Sequence, residues 1–165
     1  HIAVKEIAPE PRTYFETLPD IEITSDKRGC LVIDAPKISD EKVVTNDLVE
    51  LVAENKFKWL GRFDSIINSG GIKLVPEVIE EKLAAILKAR FFVAGIPDET
   101  LGQQLVLVVE AEPEPFEENT LLNQIKGLKS LSKYEVPKKI YFVRAFSETS
   151  TKKIDRSKTL ATIIP

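Results

Sequence analysis

The stretch GRFDSIINSGGIKLVPEVIEEKL, residues 61–83, marks a change of pattern in the chain. Gly70-Gly71 stands between two short strand-like runs, residues 65–68 and 72–75, and such a pair predicts a tight hairpin turn. Pro76 follows where a first helical residue tolerates a missing N–H. Glu77, Glu80 and Glu81 near the start of the predicted helix, with Lys88 and Arg90 near its end, match the helix macrodipole. Ile79, Leu83, Ile86 and Leu87 form one apolar stripe at helical spacing, the face that a core would cover.

Upstream, residues 2–60 read as short β segments separated by turns. Ile21 to Thr24 alternates, and Gly29 to Ile33 is an apolar run after the charged turn 25–28. Pro9, Pro11, Pro19 and Pro36 break any helix there. Residues 47–52 and 56–60 predict a hairpin around Glu54-Asn55. Its first strand has Leu48 and Val52 on one face and Val49 and Leu51 on the other, so both faces are expected to be partly buried. Trp59 is expected in the core and Cys30 as a buried thiol. Downstream, strands are predicted at 91–96, 103–110 and 140–143, with a turn at Pro97-Asp98 and a loop at Pro113-Glu114-Pro115. A second helix is predicted over 118–131 with Leu121, Leu122, Ile125 and Leu128 inward, and a short third one over 155–162. Strands interleaved with packing helices in about 100 residues predict a compact α+β domain behind a β-rich leading part.

Composition narrows the class. The 165 residues are 43% hydrophobic and 30% charged, ordinary globular values, and the net charge of -3 argues against a general nucleic-acid binder. The single cysteine makes no internal disulfide, so a reducing cytoplasm is the simplest expectation. No apolar run approaches the ~20 residues that span a bilayer. His1 is the only histidine, which rules out a histidine-based triad or a multi-histidine metal site, and no metal-ligand set is assigned. The chain has no methionine and opens on a strand-like run, so it reads as part of a longer protein.

Several charged residues have both a plain and a chemical reading. Lys152-Lys153 near the C-terminus, taken alone, is a solvated basic pair. Asp47, within Val44-Thr45-Asn46-Asp47-Leu48, is taken alone as an aspartate in a turn. Arg62 and Asp64 are surface charges where the two patterns meet. In order and spacing, however, these segments resemble the C-terminal part of the adenylate-forming ligases, the acyl-CoA synthetase family. Residues 147–156 resemble its Pro-x-Thr-x-x-Gly-Lys-x-x-Arg motif, with Ser147 at the proline, Lys152 at the glycine, and Thr149, Lys153 and Arg156 matching. Residues 45–48 resemble its Thr-Gly-Asp-Leu, with Asn46 at the glycine, and residues 61–64 match its Gly-Arg-x-Asp.

The resemblance implies roles. Lys153 would be the catalytic lysine that reaches the carboxylate and the α-phosphate, where a compact ammonium offsets the approach of like charges. Asp47 and Arg62 would bind ATP and AMP through the ribose hydroxyls and phosphates. Asp64 would be the hinge. Gly70 and Gly71 would face the pantetheine arm of CoA, with no Cβ at Gly71 to block a close approach. Residues 1–63 would end the N-terminal adenylation domain, and 64–165 would be the mobile C-terminal domain. The substrates implied are a small-molecule carboxylic acid, ATP with Mg²⁺, and CoA, with no nucleic-acid or membrane partner. The family's phosphate-binding loop and Tyr-Gly-x-Thr-Glu motif do not occur here, so the main ATP and Mg²⁺ contacts are expected in a missing N-terminal part. The isolated chain is therefore expected to be inactive. Arg28 to Ile33 leading into the Asp47 segment looks most like the o-succinylbenzoate-CoA ligases of menaquinone biosynthesis. An adenylation domain that loads a carrier protein, or a non-catalytic binding module of the same shape, remains an alternative.

Overall fold

The computed structural model describes residues 1–7, 13–112 and 117–164. The prolines at 9 and 11 and the loop predicted at 113–115 lie outside them. The chain divides into two compact units, His1–Ser65 and Ile66–Pro165.

The first unit is a six-stranded antiparallel sheet. Its strands are β1 (Ala3–Val4), β2 (Phe15–Thr17), β3 (Glu22–Ser25), β4 (Cys30–Asp34), β5 (Val43–Ala53) and β6 (Lys56–Arg62), in the order β1-β2-β6-β5-β4-β3. A single 3₁₀ turn, Phe63–Ser65, follows β6. Ile23, Leu31, Val49 and Phe57 form its core, with Phe15 stacked on Phe57 at 5.4 Å between ring centroids. Cys30 is fully buried, as expected. One expectation holds only in part and one fails. Both faces of β5 are partly buried as expected, through Leu48 and Val49, but the burial does not reach Leu51 and Val52, where the β5–β6 pairing shifts register between Leu48 and Val49 and again between Leu51 and Ala53. Such irregularities re-aim side chains that simple alternation would place together. Trp59 is not core either: it is 43% exposed, and its indole lies beside Asp47.

The second unit is α+β. Its strands are β7 (Ile67–Ser69), β8 (Ile72–Leu74), β9 (Phe91–Asp98), β10 (Gly102–Glu110) and β11 (Lys139–Val143). The order is β11-β10-β7-β8, with β9 also paired to β10 and β11 parallel to it. The helices are α1 (Pro76–Leu83), α2 (Glu117–Lys126) and α3 (Arg156–Ala161). Both faces of β9 and β10 are covered. Val93, Leu105, Leu107 and Val109 pack with Ile79 and Leu83 of α1 and Ile125 of α2. Phe92, Ala94, Val106 and Val108 pack with Phe146 and, from α3, Leu160. Burial on both sides explains the near-continuous apolar runs.

Three boundaries differ from the sequence reading. α1 stops at Leu83, and Ile86 and Leu87 reach the same core through turns closed on the Leu83 carbonyl. Lys88 and Arg90 therefore lie beyond the helix. β9 continues through Pro97 and Asp98, since a strand paired only to β10 has a free edge where a missing N–H costs nothing. The turn comes just after, where Asp98 Oδ1 accepts the Thr100 and Leu101 N–H groups. α2 ends at Lys126, before Gly127, a poor helix former.

Candidate functional site

In the first unit, Asp47 and Arg62 face each other across the β5–β6 ladder. Arg62 Nη1 lies 3.6 Å from Asp47 Oδ1. The same guanidinium donates to both oxygens of Asp64, Nε at 3.2 Å and Nη2 at 3.1 Å. Trp59 Nε1 donates to Asp47 Oδ1 at 3.1 Å, and the Asp47 N–H is held by Thr45 Oγ1. Three of the residues singled out in the sequence thus come together, with Arg62 between two carboxylates. The hydrogen bond from Arg62 holds the Asp64 carboxyl below its ordinary value, and that bond raises Arg62 in turn. Beside the cluster is a groove of about 340 Å³ lined by Phe15, Leu31, Ile33, Phe57, Trp59 and Asp47. Burial pushes the Cys30 thiol up, so it is a packed side chain and not a nucleophile.

In the second unit, Gly70 and Gly71 form the two-residue turn between β7 and β8, closed by the Ser69–Ile72 pair. Their φ values of 59° and 81° are both left-handed, the geometry of a type I′ turn. The Gly70 N–H donates to the Leu101 carbonyl, and a Cβ at Gly70 would stand 3.1 Å from Leu101 Cδ2. A Cβ at Gly71 would meet nothing within 4 Å, so this side of the turn is open.

Lys153 lies on a short hairpin at 147–154. Glu148 and Ile154 pair across it, the Thr149 N–H donates to the Lys153 carbonyl, and the Lys152 N–H donates to the Thr149 carbonyl. Thr149 Oγ1 accepts the Lys153 N–H at 3.2 Å. This closure leaves one residue in the left-handed region, Lys152 at φ 63°. A type I turn followed by a left-handed residue is a common three-residue hairpin, and glycine favours that last position. Lys152 Nζ lies 3.6 Å from Glu148 Oε2, whereas the exposed Lys153 ammonium has no ion pair or side-chain hydrogen bond among the described residues. The root of the hairpin is sewn to α3: Asp155 N–H donates to the Ser147 carbonyl, Ser147 N–H to Thr159 Oγ1, and Asp155 caps the helix.

Several ion pairs of this region carried no sequence signal, although some of their residues did. Arg156 Nη2 donates to Glu80 Oε2 of α1 at 3.0 Å. Arg90 donates to Glu148 Oε1 at 2.8 Å and to Glu110 at 3.2 Å. Glu80 and Arg156 are 76 positions apart, and no spacing rule links them. Only the fold could. Gly71 and Lys153 sit on separate elements of this unit, with no hydrogen bond joining them. Among the described residues no group of three His, Cys, Asp or Glu side chains is placed to hold a metal ion, and no helix is long and apolar enough to cross a membrane.

No protein-family model matches the chain. A solved acyl-CoA synthetase (AMP-forming)/AMP-acid ligase II-like protein from Dyadobacter fermentans is 41% identical, with a TM-score of 0.57 over 99% of this chain and 47% of its own. The 2-succinylbenzoate–CoA ligase of Enterococcus faecalis is 34% identical over 67% of this chain. The vibriobactin-specific 2,3-dihydroxybenzoate-AMP ligase of Vibrio cholerae is 31% identical over 69% of it. The chain spans about a fifth of the length of these two curated relatives, 22% and 21%. In both fold and sequence, the chain resembles the adenylate-forming acyl-CoA and acid ligases.

Proposed function

We propose that the chain is the C-terminal portion of an ATP-dependent acyl-CoA ligase, with Lys153 as the catalytic lysine of the adenylation step. In that reaction a carboxylate oxygen attacks the α-phosphorus of Mg·ATP, forming the acyl-adenylate and releasing pyrophosphate. The CoA thiol, losing its proton, then attacks the acyl carbon, and AMP leaves. The first step drives an anion toward a polyphosphate, and an unpaired ammonium placed there lowers its barrier. The observation that carries the reading is the division of labour in the hairpin. Lys152 takes the left-handed position that the family motif gives to glycine and lies within ion-pair distance of Glu148, while the Lys153 ammonium has no ion pair among the described residues.

Asp47 and Arg62 are assigned to the ribose hydroxyls and phosphates of ATP and AMP. Support comes from their pairing at the end of the central β5–β6 ladder with an exposed aromatic beside them. Asp64 is assigned as the hinge between the end of the adenylation domain, residues 1–63, and a mobile C-terminal domain, residues 64–165. The chain divides into compact units one residue past Asp64. Gly70 and Gly71 are assigned to the pantetheine arm, and the open side of Gly71 leaves room for it. The contacts to Mg²⁺ and most of those to ATP are assigned to the rest of the protein, since this chain spans only about a fifth of the length of those curated relatives.

The acyl substrate proposed is o-succinylbenzoate, on the strength of the Enterococcus relative. A relative named for 2,3-dihydroxybenzoate is 31% identical, against 34% for the Enterococcus relative, which makes 2,3-dihydroxybenzoate the competing acid. A carrier-protein acceptor in place of CoA is the competing reading. ATP–pyrophosphate exchange by the full-length protein with each acid, followed by thioester formation with free CoA or a carrier protein, separates these readings. Exchange with o-succinylbenzoate and acylation of free CoA is the expected result. Exchange only with another acid, or acylation only of a carrier, would overturn the finer assignment.

A further inference from the structure

The hairpin at 147–154 is held from outside at one leg and just past the other, at the start of α3, by groups of α1 and groups that flank or belong to the start of β9. On one leg, Glu148 receives a hydrogen bond from Arg90, which is also bound to Glu110 and sits over the Phe146 ring at 5.6 Å. Past the other, Arg156 stands three residues after Lys153, with its guanidinium over the fully buried Phe92 ring at 5.6 Å and donating to Glu80. Glu80 is two-armed. Its Oε2 accepts from Arg156 and its Oε1 accepts the Val93 N–H of β9 at 2.9 Å. The Glu80 side chain is mostly buried, at 19% exposure. Burial raises its carboxyl above the ordinary value, Arg156 and the Val93 N–H oppose that, and Glu77 adds a like charge. A buried carboxylate fixed between a sheet N–H and a single guanidinium leaves that guanidinium little freedom, because an unpaired charge on either side is costly.

We propose that Glu80 is a positioning residue for the adenylation half-reaction, acting through Arg156 to hold the root of the hairpin so that Lys153 projects in one direction. The proposal rests on the reading of Lys153 as the catalytic lysine. Glu80 is 73 residues from Lys153 in sequence and touches no substrate. Its effect is on geometry, and a displacement of about 1 Å at a reacting group can cost up to a hundredfold in rate.

The test is Glu80→Gln in the full-length protein, with the two half-reactions measured separately. The glutamine oxygen can keep the Val93 N–H, while the amide presents no charge to Arg156. The expected result is a fall of roughly ten- to a hundredfold in kcat for ATP–pyrophosphate exchange, with the KM for ATP nearly unchanged. Thioester formation from supplied acyl-adenylate and CoA should be retained, and trypsin should cut after Lys152 or Lys153 faster than in the unsubstituted protein. Arg156→Lys keeps the charge but not the fork, and should fall between the two; it carries the test if Glu80→Gln does not fold. Unchanged exchange kinetics in a folded variant, or an equal loss in both half-reactions, would overturn the proposal. Absence of exchange in the unsubstituted protein would overturn the functional reading itself, and that failure shows before any substitution is made.

Discussion

The left-handed backbone at Lys152 makes glycine and alanine exchange their usual ranking at this position. Lys152 has φ 63° and its side chain is 86% exposed. Replacing it with either Gly or Ala removes the same Glu148 contact, so that term cancels between the two variants. What remains is backbone. A left-handed residue with a Cβ costs roughly 1–2 kcal/mol, which glycine avoids. Glycine has the larger unfolded-state entropy, worth roughly 0.5–1 kcal/mol against it. The difference leaves Lys152→Gly more stable than Lys152→Ala by about 0.5–1 kcal/mol, whereas at an ordinary exposed position alanine is the better residue. Urea unfolding followed by far-ultraviolet circular dichroism reads this as a higher midpoint for the glycine variant at unchanged slope. A glycine variant equal to or less stable than the alanine variant would refute the hairpin geometry, and with it the argument that Lys152 occupies the glycine position of the motif.

Gly71→Ala is expected to cost about 0.5–1 kcal/mol, backbone strain less glycine's unfolded-state entropy, since its Cβ would meet nothing. Gly70→Ala should cost more, because Leu101 Cδ2 stands 3.1 Å from the new Cβ; thermal melts of the two variants give the order. Acid should weaken the second unit through Glu135. Burial pushes its carboxyl up, but hydrogen bonds from Lys82 and from Ser132 outweigh that and hold it below the ordinary 4.5. A lowered carboxyl contributes stability above its unfolded value and loses it as pH falls through the folded one. Glu135→Gln should therefore cost about 1–2 kcal/mol at pH 7, and its deficit should shrink as melts are repeated below pH 4.5.

The parts of the fold that were legible are those where a residue type answers to one backbone need. Gly70-Gly71 reads as a turn because both positions require positive φ, and Pro76 marks the start of α1, where a missing N–H costs nothing. The apolar runs gave β9 and β10, though periodicity could not say that Pro97 would sit on a free edge. Trp59 was misread because hydrophobicity places a tryptophan inside, while an irregular β5–β6 register sets it beside Asp47. At the candidate site, residues within 20 positions of one another, such as Asp47, Arg62 and Asp64, could be grouped by motif. The Glu80–Arg156 and Arg90–Glu148 pairs could not, since they are made by α1 and the start of β9 meeting the C-terminal hairpin. Glu80 was read as a helix-dipole charge, and its position does suit that role. The burial that turns it into a clamp is a tertiary fact.

The most direct test of the account compares Lys153→Ala with Lys152→Ala in the full-length protein, again by half-reaction. Loss of ATP–pyrophosphate exchange by a hundredfold or more in Lys153→Ala is expected, with thioester formation from supplied acyl-adenylate retained and Lys152→Ala within severalfold of the unsubstituted protein. Exchange that survives in Lys153→Ala, or that is lost only in Lys152→Ala, would contradict it.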